Sequence, residues 1–357
     1  MSTEFEPNAA MDPPAGITPE LTHSPHYRRA LQLPGERTPE ERVEYQKKVD
    51  WFHKARYGLA FHFLADMGEN RNAHEWTSEE WNACVDAADV EKVAAQAEEL
   101  GAGYVAITIG QNCQYYCAPN PLIEKYWQVE PGQYGSRRDL PMDLFEALKK
   151  RGIRMLLYMA TDNQFMVPRP GALEEGDARF DRWIEVMQWY SDHYGQACSG
   201  WWIDGLYGHL GPEGYTERVH DALRHGNPDG LLSSGTHRLS DFLHGHSIQS
   251  AKQDDWGIQQ ERMLPYYGRW DPLTGNQWHV FLFVGSNWGY TDLGHSTESM
   301  VSYCEKVIEG GGVITFDVGA RGIDEHWPRM DIPEAQFEQL CTVRDALKRI
   351  PVSDGKG

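Results

Sequence analysis

GWWIDGLYG, residues 200–208, ends an apolar run on an acid and follows the acid with two glycines that bracket Tyr207. An unbroken apolar run, rather than an alternating one, suits a strand covered on both faces, as in a parallel sheet. Asp204 then stands where that strand stops. A carboxylate placed among indoles costs several kcal/mol unless it is paired or hydrogen-bonded. Asp204 is therefore either a structural acid, capping a helix or held in an ion pair, or an acid with chemistry to do.

Working outward, the same kind of run recurs along the chain. LAFHFL (59–64), YVAITIG (104–110) and RMLLYMAT (154–161) precede it, and LLSSG (231–235), SIQSA (247–251), WHVFLFV (278–284) and VITFDVG (313–319) follow. Between them the apolar positions fall at helical spacing. Examples are Val90, Val93, Ala94, Ala97 and Leu100 with Gly101 as a stop, then Phe180, Trp183, Ile184, Met187, Tyr190 and Tyr194, then Phe337, Leu340, Cys341 and Leu347. Eight strands alternating with helices predict a (β/α)8 TIM-like barrel. The rival, a doubly wound open sheet, would carry a G-x-G-x-x-G or a P-loop, and neither is present. PEERVEYQKKVDWFHKARY (39–57) reads as a leading helix. Residues 1–45, rich in Pro, Thr and Glu, read as a tail that is partly disordered or packed on the surface, and 46–352 as a single barrel catalytic domain.

Composition narrows the partners. The 357 residues carry a formal charge of −20, which opposes nucleic acid and anionic membranes and suits a neutral or cationic ligand. No apolar run approaches a membrane span, and MSTEFEPNAAMDPP has neither the basic nor the apolar region of a secretion signal. With six scattered cysteines and no C-x-x-C, the expectation is reduced thiols in the cytoplasm. Nothing calls for a cofactor or a metal. HGH (244–246) and the Cys113/Cys117 pair read as ordinary polar residues and buried thiols, and the oligomeric state is not set by sequence.

Barrels gather function at the C-terminal ends of their strands. Those ends offer His62, Gln111 and Asn112, Thr161 and Asp162, Asp204, Asn287 and Trp288, and Asp317. Amides and acids suit sugar hydroxyls, and indoles suit the apolar face of a pyranose. In that setting the working alternative for Asp204 is the nucleophile of a retaining glycoside hydrolase, which needs a second carboxyl group nearby.

An ordered set of motifs from about residue 50 to 350 resembles glycoside hydrolase family 29, the α-L-fucosidases. RYGLAFHFL (56–64) stands for the family's R/K-F-G-I-F-I-H-W-G, keeping His62; Glu75-Trp76 matches its E-W pair; AGYVAIT (102–108), RDL (138–140) and GIRMLLY (152–158) follow in order. WIDG (202–205) matches the nucleophile segment W-F-D-G, and NWGY (287–290) with GGVITFDVGA (311–320) matches the late motifs. The resemblance implies Asp204 as nucleophile and Glu261 in QDDWGIQQERML (253–264) as acid/base, with Asp254, Asp255 and Asp162 as alternatives. It further implies sugar contacts from His62, Glu75, Trp76, Gln111, Asn112, Tyr158, Trp202 and Trp288, and an oligosaccharide or glycoside substrate. Two departures stand out. The family's H-H-D-G is Gln111-Asn112-Cys113-Gln114 here, and its strand-8 Asn-x-Gly-Pro is Asp317-Val318-Gly319-Ala320. The family's usual C-terminal β-sandwich has no counterpart in this sequence. A non-catalytic sugar-binding barrel and a metal-dependent sugar isomerase or lyase are the alternative functions.

Overall fold

The computed structural model describes residues 37–65, 76–111, 115–160, 178–204, 206, 212–234, 240–243, 246–247, 268–270, 275–320 and 330–351. Its centre is one all-parallel sheet of eight strands: β1 (Tyr57–Phe61), β2 (Tyr104–Gly110), β3 (Arg154–Ala160), β4 (Cys198–Asp204), β5 (Leu231–Ser233), β6 (His246–Ser247), β7 (His279–Phe283) and β8 (Val313–Val318). The hydrogen-bonded order is β5-β4-β3-β2-β1-β8-β7-β6. Between the two ends of that order lies the segment 241–243. Asp241 N donates to Leu232 O at 2.6 Å, and Leu243 N donates to Gln277 O at 3.1 Å just ahead of β7. The sheet thus curls into the (β/α)8 TIM-like barrel that the runs predicted. The weakest expected strand, 247–251, meets the observed β6 only at Ser247, and 248–251 lie outside the described residues.

Register decides which side chains face inward. Ala60 pairs with both Ala106 and Asp317, Ala106 with Leu156, and Ala160 with Asp204. With alternate residues on alternate faces, the even positions of β1–β4 and the odd positions of β5, β7 and β8 point into the barrel. Two apolar clusters follow from this. Ala60, Tyr104, Ala106, Leu156, Tyr158, Trp202, Phe281 and Phe283 fill the interior, while the opposite faces pack under the helices. Both faces are covered, which is why the runs are apolar throughout.

The leading helix α1 (Pro39–Ala55) closes the foot of the barrel. It starts at a capping box between Thr38 and Glu41, with Pro39 at its first turn. Tyr45, Val49 and Phe52 drop into the interior cluster; Phe52 packs 5.0 Å from Tyr104 and 4.8 Å from Phe242, ring centre to ring centre. The outer layer holds α2 (Ser78–Asp86), α3 (Val90–Leu100), α4 (Pro121–Trp127), α5 (Leu140–Lys149), α6 (Ala178–Tyr194), α7 (Tyr215–Arg224), α8 (Thr297–Glu309) and α9 (Glu334–Leu347). Gly101 ends α3 in the left-handed conformation at φ 70°, as its place after Leu100 predicted. No described helix is long and apolar enough to cross a membrane. The described cysteines, Cys84, Cys117, Cys198, Cys304 and Cys341, are thiols rather than disulfides, and burial pushes Cys84 and Cys198 up to about 12.

Candidate active site

Asp204 is the last residue of β4 and faces inward at the open end, half-buried. Tyr158 of β3 donates its hydroxyl to Asp204 Oδ2 at 2.9 Å, and Gln111, just past β2, donates Nε2 to the same oxygen at 3.1 Å. Three successive strands therefore converge on one carboxylate. Donors of this kind suit an anionic acceptor and hold it in one rotamer. Burial raises the Tyr158 phenol far above its ordinary value, and the charge of Asp204 adds to the effect. The hydroxyl keeps its proton and remains a donor.

A second group stands opposite. His62, the residue after β1, and Asp317 of β8 are both buried, with Nδ1 2.8 Å from Asp317 Oδ1. A carboxylate only accepts, so an ionised Asp317 puts a proton on Nδ1 and turns Nε2 away from itself. The other oxygen of Asp317 accepts the Gly289 N–H at 2.8 Å. That bond ties the NWGY turn to the barrel floor, with Gly289 at φ 61° in the left-handed region. Trp288 consequently stands edge-on to His62, ring centres 5.3 Å apart, and packs 4.8 Å from Phe283. Tyr158 joins the two groups, because its ring lies 5.4 Å from His62 and its hydroxyl meets Asp204.

The chain has the same fold as known sugar-cleaving enzymes. It superposes on the endo-fucoidan hydrolase MfFcnA4 from glycoside hydrolase family 107 with a TM-score of 0.63 at 15% identity, over 85% of this chain and 54% of that one. For MfFcnA9 of the same family the values are 0.64, 14%, 86% and 65%. The α-L-fucosidase AlfC from Lactobacillus casei, in complex with its α-L-fucose product, matches at 0.58 and 19%, over 85% of this chain and all of AlfC. The chain thus spans about half to two thirds of the length of these two endo-fucoidan hydrolases. No family model and no curated protein matches it.

Of the residues proposed from sequence, the structure gathers His62, Gln111, Tyr158, Asp204 and Trp288 at one end of the barrel. Trp202 belongs to the layer below. It is fully buried, 5.6 Å from Tyr158 and 4.7 Å from Phe281, and supports the floor from beneath without surface to offer a sugar. Trp76 is also buried, edge-on to Trp81 in the layer under the helices. Glu75, Asn112 and Glu261, with Asp162, Asp254 and Asp255, lie outside the described residues. The pairing of Asp317 with His62 and with the Gly289 N–H was not read from sequence. Its one signal was the adjacency of first and last strands that barrel closure imposes. Among the described residues, no group of three or more His, Cys, Asp or Glu side chains is placed to hold a metal.

Proposed function

We propose that the chain is a retaining, exo-acting glycoside hydrolase of the α-L-fucosidase type that works on a neutral sugar glycoside. The observation that carries this reading is Asp204, half-buried at the open end of the barrel and oriented by Tyr158 and Gln111. The shared fold with AlfC and the endo-fucoidan hydrolases supports it. An Asp204 oxygen attacks the anomeric carbon as the bond to the leaving oxygen breaks, and Glu261 gives that oxygen its proton. Glu261 then takes a proton from water, the water attacks the same carbon, and Asp204 leaves as the carboxylate. This chemistry places the two carboxyl groups about 5–5.5 Å apart. His62, Gln111 and Asn112 hold hydroxyls, Glu75 assists, and Trp288 covers the ring face.

The test is turnover of a panel of aryl α- and β-glycosides, α-L-fucoside included. Asp204→Asn should cost at least about 10³-fold in kcat, the scale of losing a group in contact with reacting atoms, with Tm unchanged. Wild-type rates in that variant would end the proposal. Tight saccharide binding by the wild type without product would assign a sugar-binding barrel instead.

A further inference from the structure

The foot of the barrel, opposite Asp204, holds a cavity of about 680 Å³ between α1, the start of β3, the end of α7 and the turn before β5. Its charged lining runs against the rest of the molecule. Arg37, Lys47, Lys48, Arg154 and Arg224 face Glu44, Asp229 and Asp241, an excess of two positive charges in a chain of net −20. Much of the acidity is already engaged. Asp241 Oδ2 takes Lys48 Nζ at 3.0 Å and Arg224 Nη2 at 3.1 Å, and Glu44 pairs with Lys47 at 2.6 Å.

Two guanidinium groups are left over, and both are held in the same way. Arg37 lies 3.8 Å over the Tyr45 ring, and Arg154 lies 4.3 Å over the Trp51 ring. Arg37 spends Nη2 on neutral acceptors, Asn276 Oδ1 at 2.9 Å and Ser240 O at 3.4 Å. The Arg154 guanidinium has no hydrogen-bond acceptor and no carboxylate among the described residues. A guanidinium stacked on an aromatic face keeps its N–H edge outward in a fixed plane, the geometry that grips phosphate or sulfate oxygens in pairs. Rings on α1 thus set two guanidinium groups on the lining of one cavity, and its size is that of a small-molecule site.

We propose that this foot cavity is a second ligand site, which binds a small molecule bearing a tetrahedral oxyanion, a phosphate or a sulfate, through Arg154 and Arg37. The site is independent of the chemistry at Asp204. The full chain is titrated calorimetrically with inorganic phosphate and, separately, with sodium sulfate, at constant ionic strength made up with KCl. Saturable binding of either anion is expected. Arg154→Gln should weaken it by about tenfold or more, the scale of a charge-assisted hydrogen-bond pair, and Arg154→Lys less. Arg37→Gln is the second variant should Arg154→Gln not fold, while Asp204→Asn should bind as the wild type does. The tighter of the two anions names the ester class. Absence of saturable binding above the KCl background, or equal affinity in the folded Arg154→Gln and Arg37→Gln variants, overturns the proposal.

Discussion

The hydroxyl of Tyr158 reaches Asp204 from a ring wedged between His62, 5.4 Å away, and Trp202, 5.6 Å away. That ring has no room to turn, so the bond it makes is fixed before any ligand arrives. Removing the hydroxyl in Tyr158→Phe keeps the packing and loses one hydrogen bond to a charged group, worth about 1.5–3 kcal/mol. The expected result in a glycosidase assay is a drop in kcat of about 10- to 100-fold, with little change in Tm. Because burial and Asp204 hold the phenol protonated far beyond its ordinary range, the variant should not move the alkaline limb of the pH–rate profile below about pH 10. Asp204 itself was legible in the sequence, since an acid that ends a doubly covered strand has few places to go. The Asp317–His62 bond was not, because it joins residues at opposite ends of the barrel chain and depends on register. The depth of Trp202 escaped for a related reason: adjacent Trp201 and Trp202 point to opposite faces, and only the phase of the whole strand says which one lies inside.

Strand β1 passes so close to β2 that Gly58 has no space for a side chain. A Cβ there would fall 2.4 Å from the Tyr104 ring. The ring cannot retreat, because its hydroxyl donates to Ile314 O at 3.2 Å, sits 2.7 Å from Thr315 Oγ1, and has Phe52 packed against its face. Gly58→Ala should therefore destabilise the chain by about 1–3 kcal/mol, the ordinary cost of overpacking, read as a lowered urea midpoint with unchanged slope. Elements of this kind were largely readable. Seven of the eight apolar runs became strands, the run at 247–251 meets β6 only at Ser247, and the helical patterns beginning near residues 39, 90, 180 and 337 became α1, α3, α6 and α9. The short helices α2 and α4 were not singled out, although Thr77 and Glu80 form a capping box that the T-x-x-E spacing spells out. Their few apolar positions give too little periodicity to stand out from the surrounding loops.

Five phenols spread through the described barrel are enclosed. Tyr45, Tyr104, Tyr158, Tyr190 and Tyr194 are buried, and desolvation raises each above its ordinary value. The folded chain holds these protons where the unfolded chain gives them up. Their contribution to stability is thus fully present below about pH 10 and is lost as pH climbs from there toward the folded values. Urea midpoints should be insensitive to these groups between pH 7 and 9 and fall steeply above pH 10, with the tyrosinate absorbance of these five phenols appearing together with unfolding rather than before it. Complete ionisation of all the tyrosines while the chain remains folded would contradict this account. Barrel topology was legible at this scale, but the closure at 241–243 was not, because hydrogen bonds from so short a segment leave no periodic trace. Arg37 borders the foot cavity, and Arg56, at the start of β1, donates to Leu347 O at 2.7 Å and Ile350 O at 3.0 Å, so residues 37 and 350 lie at the same pole of the barrel, opposite Asp204. A spectroscopic label attached at either of those positions would therefore report from the far end of the barrel, with the whole length of the strands between it and Asp204.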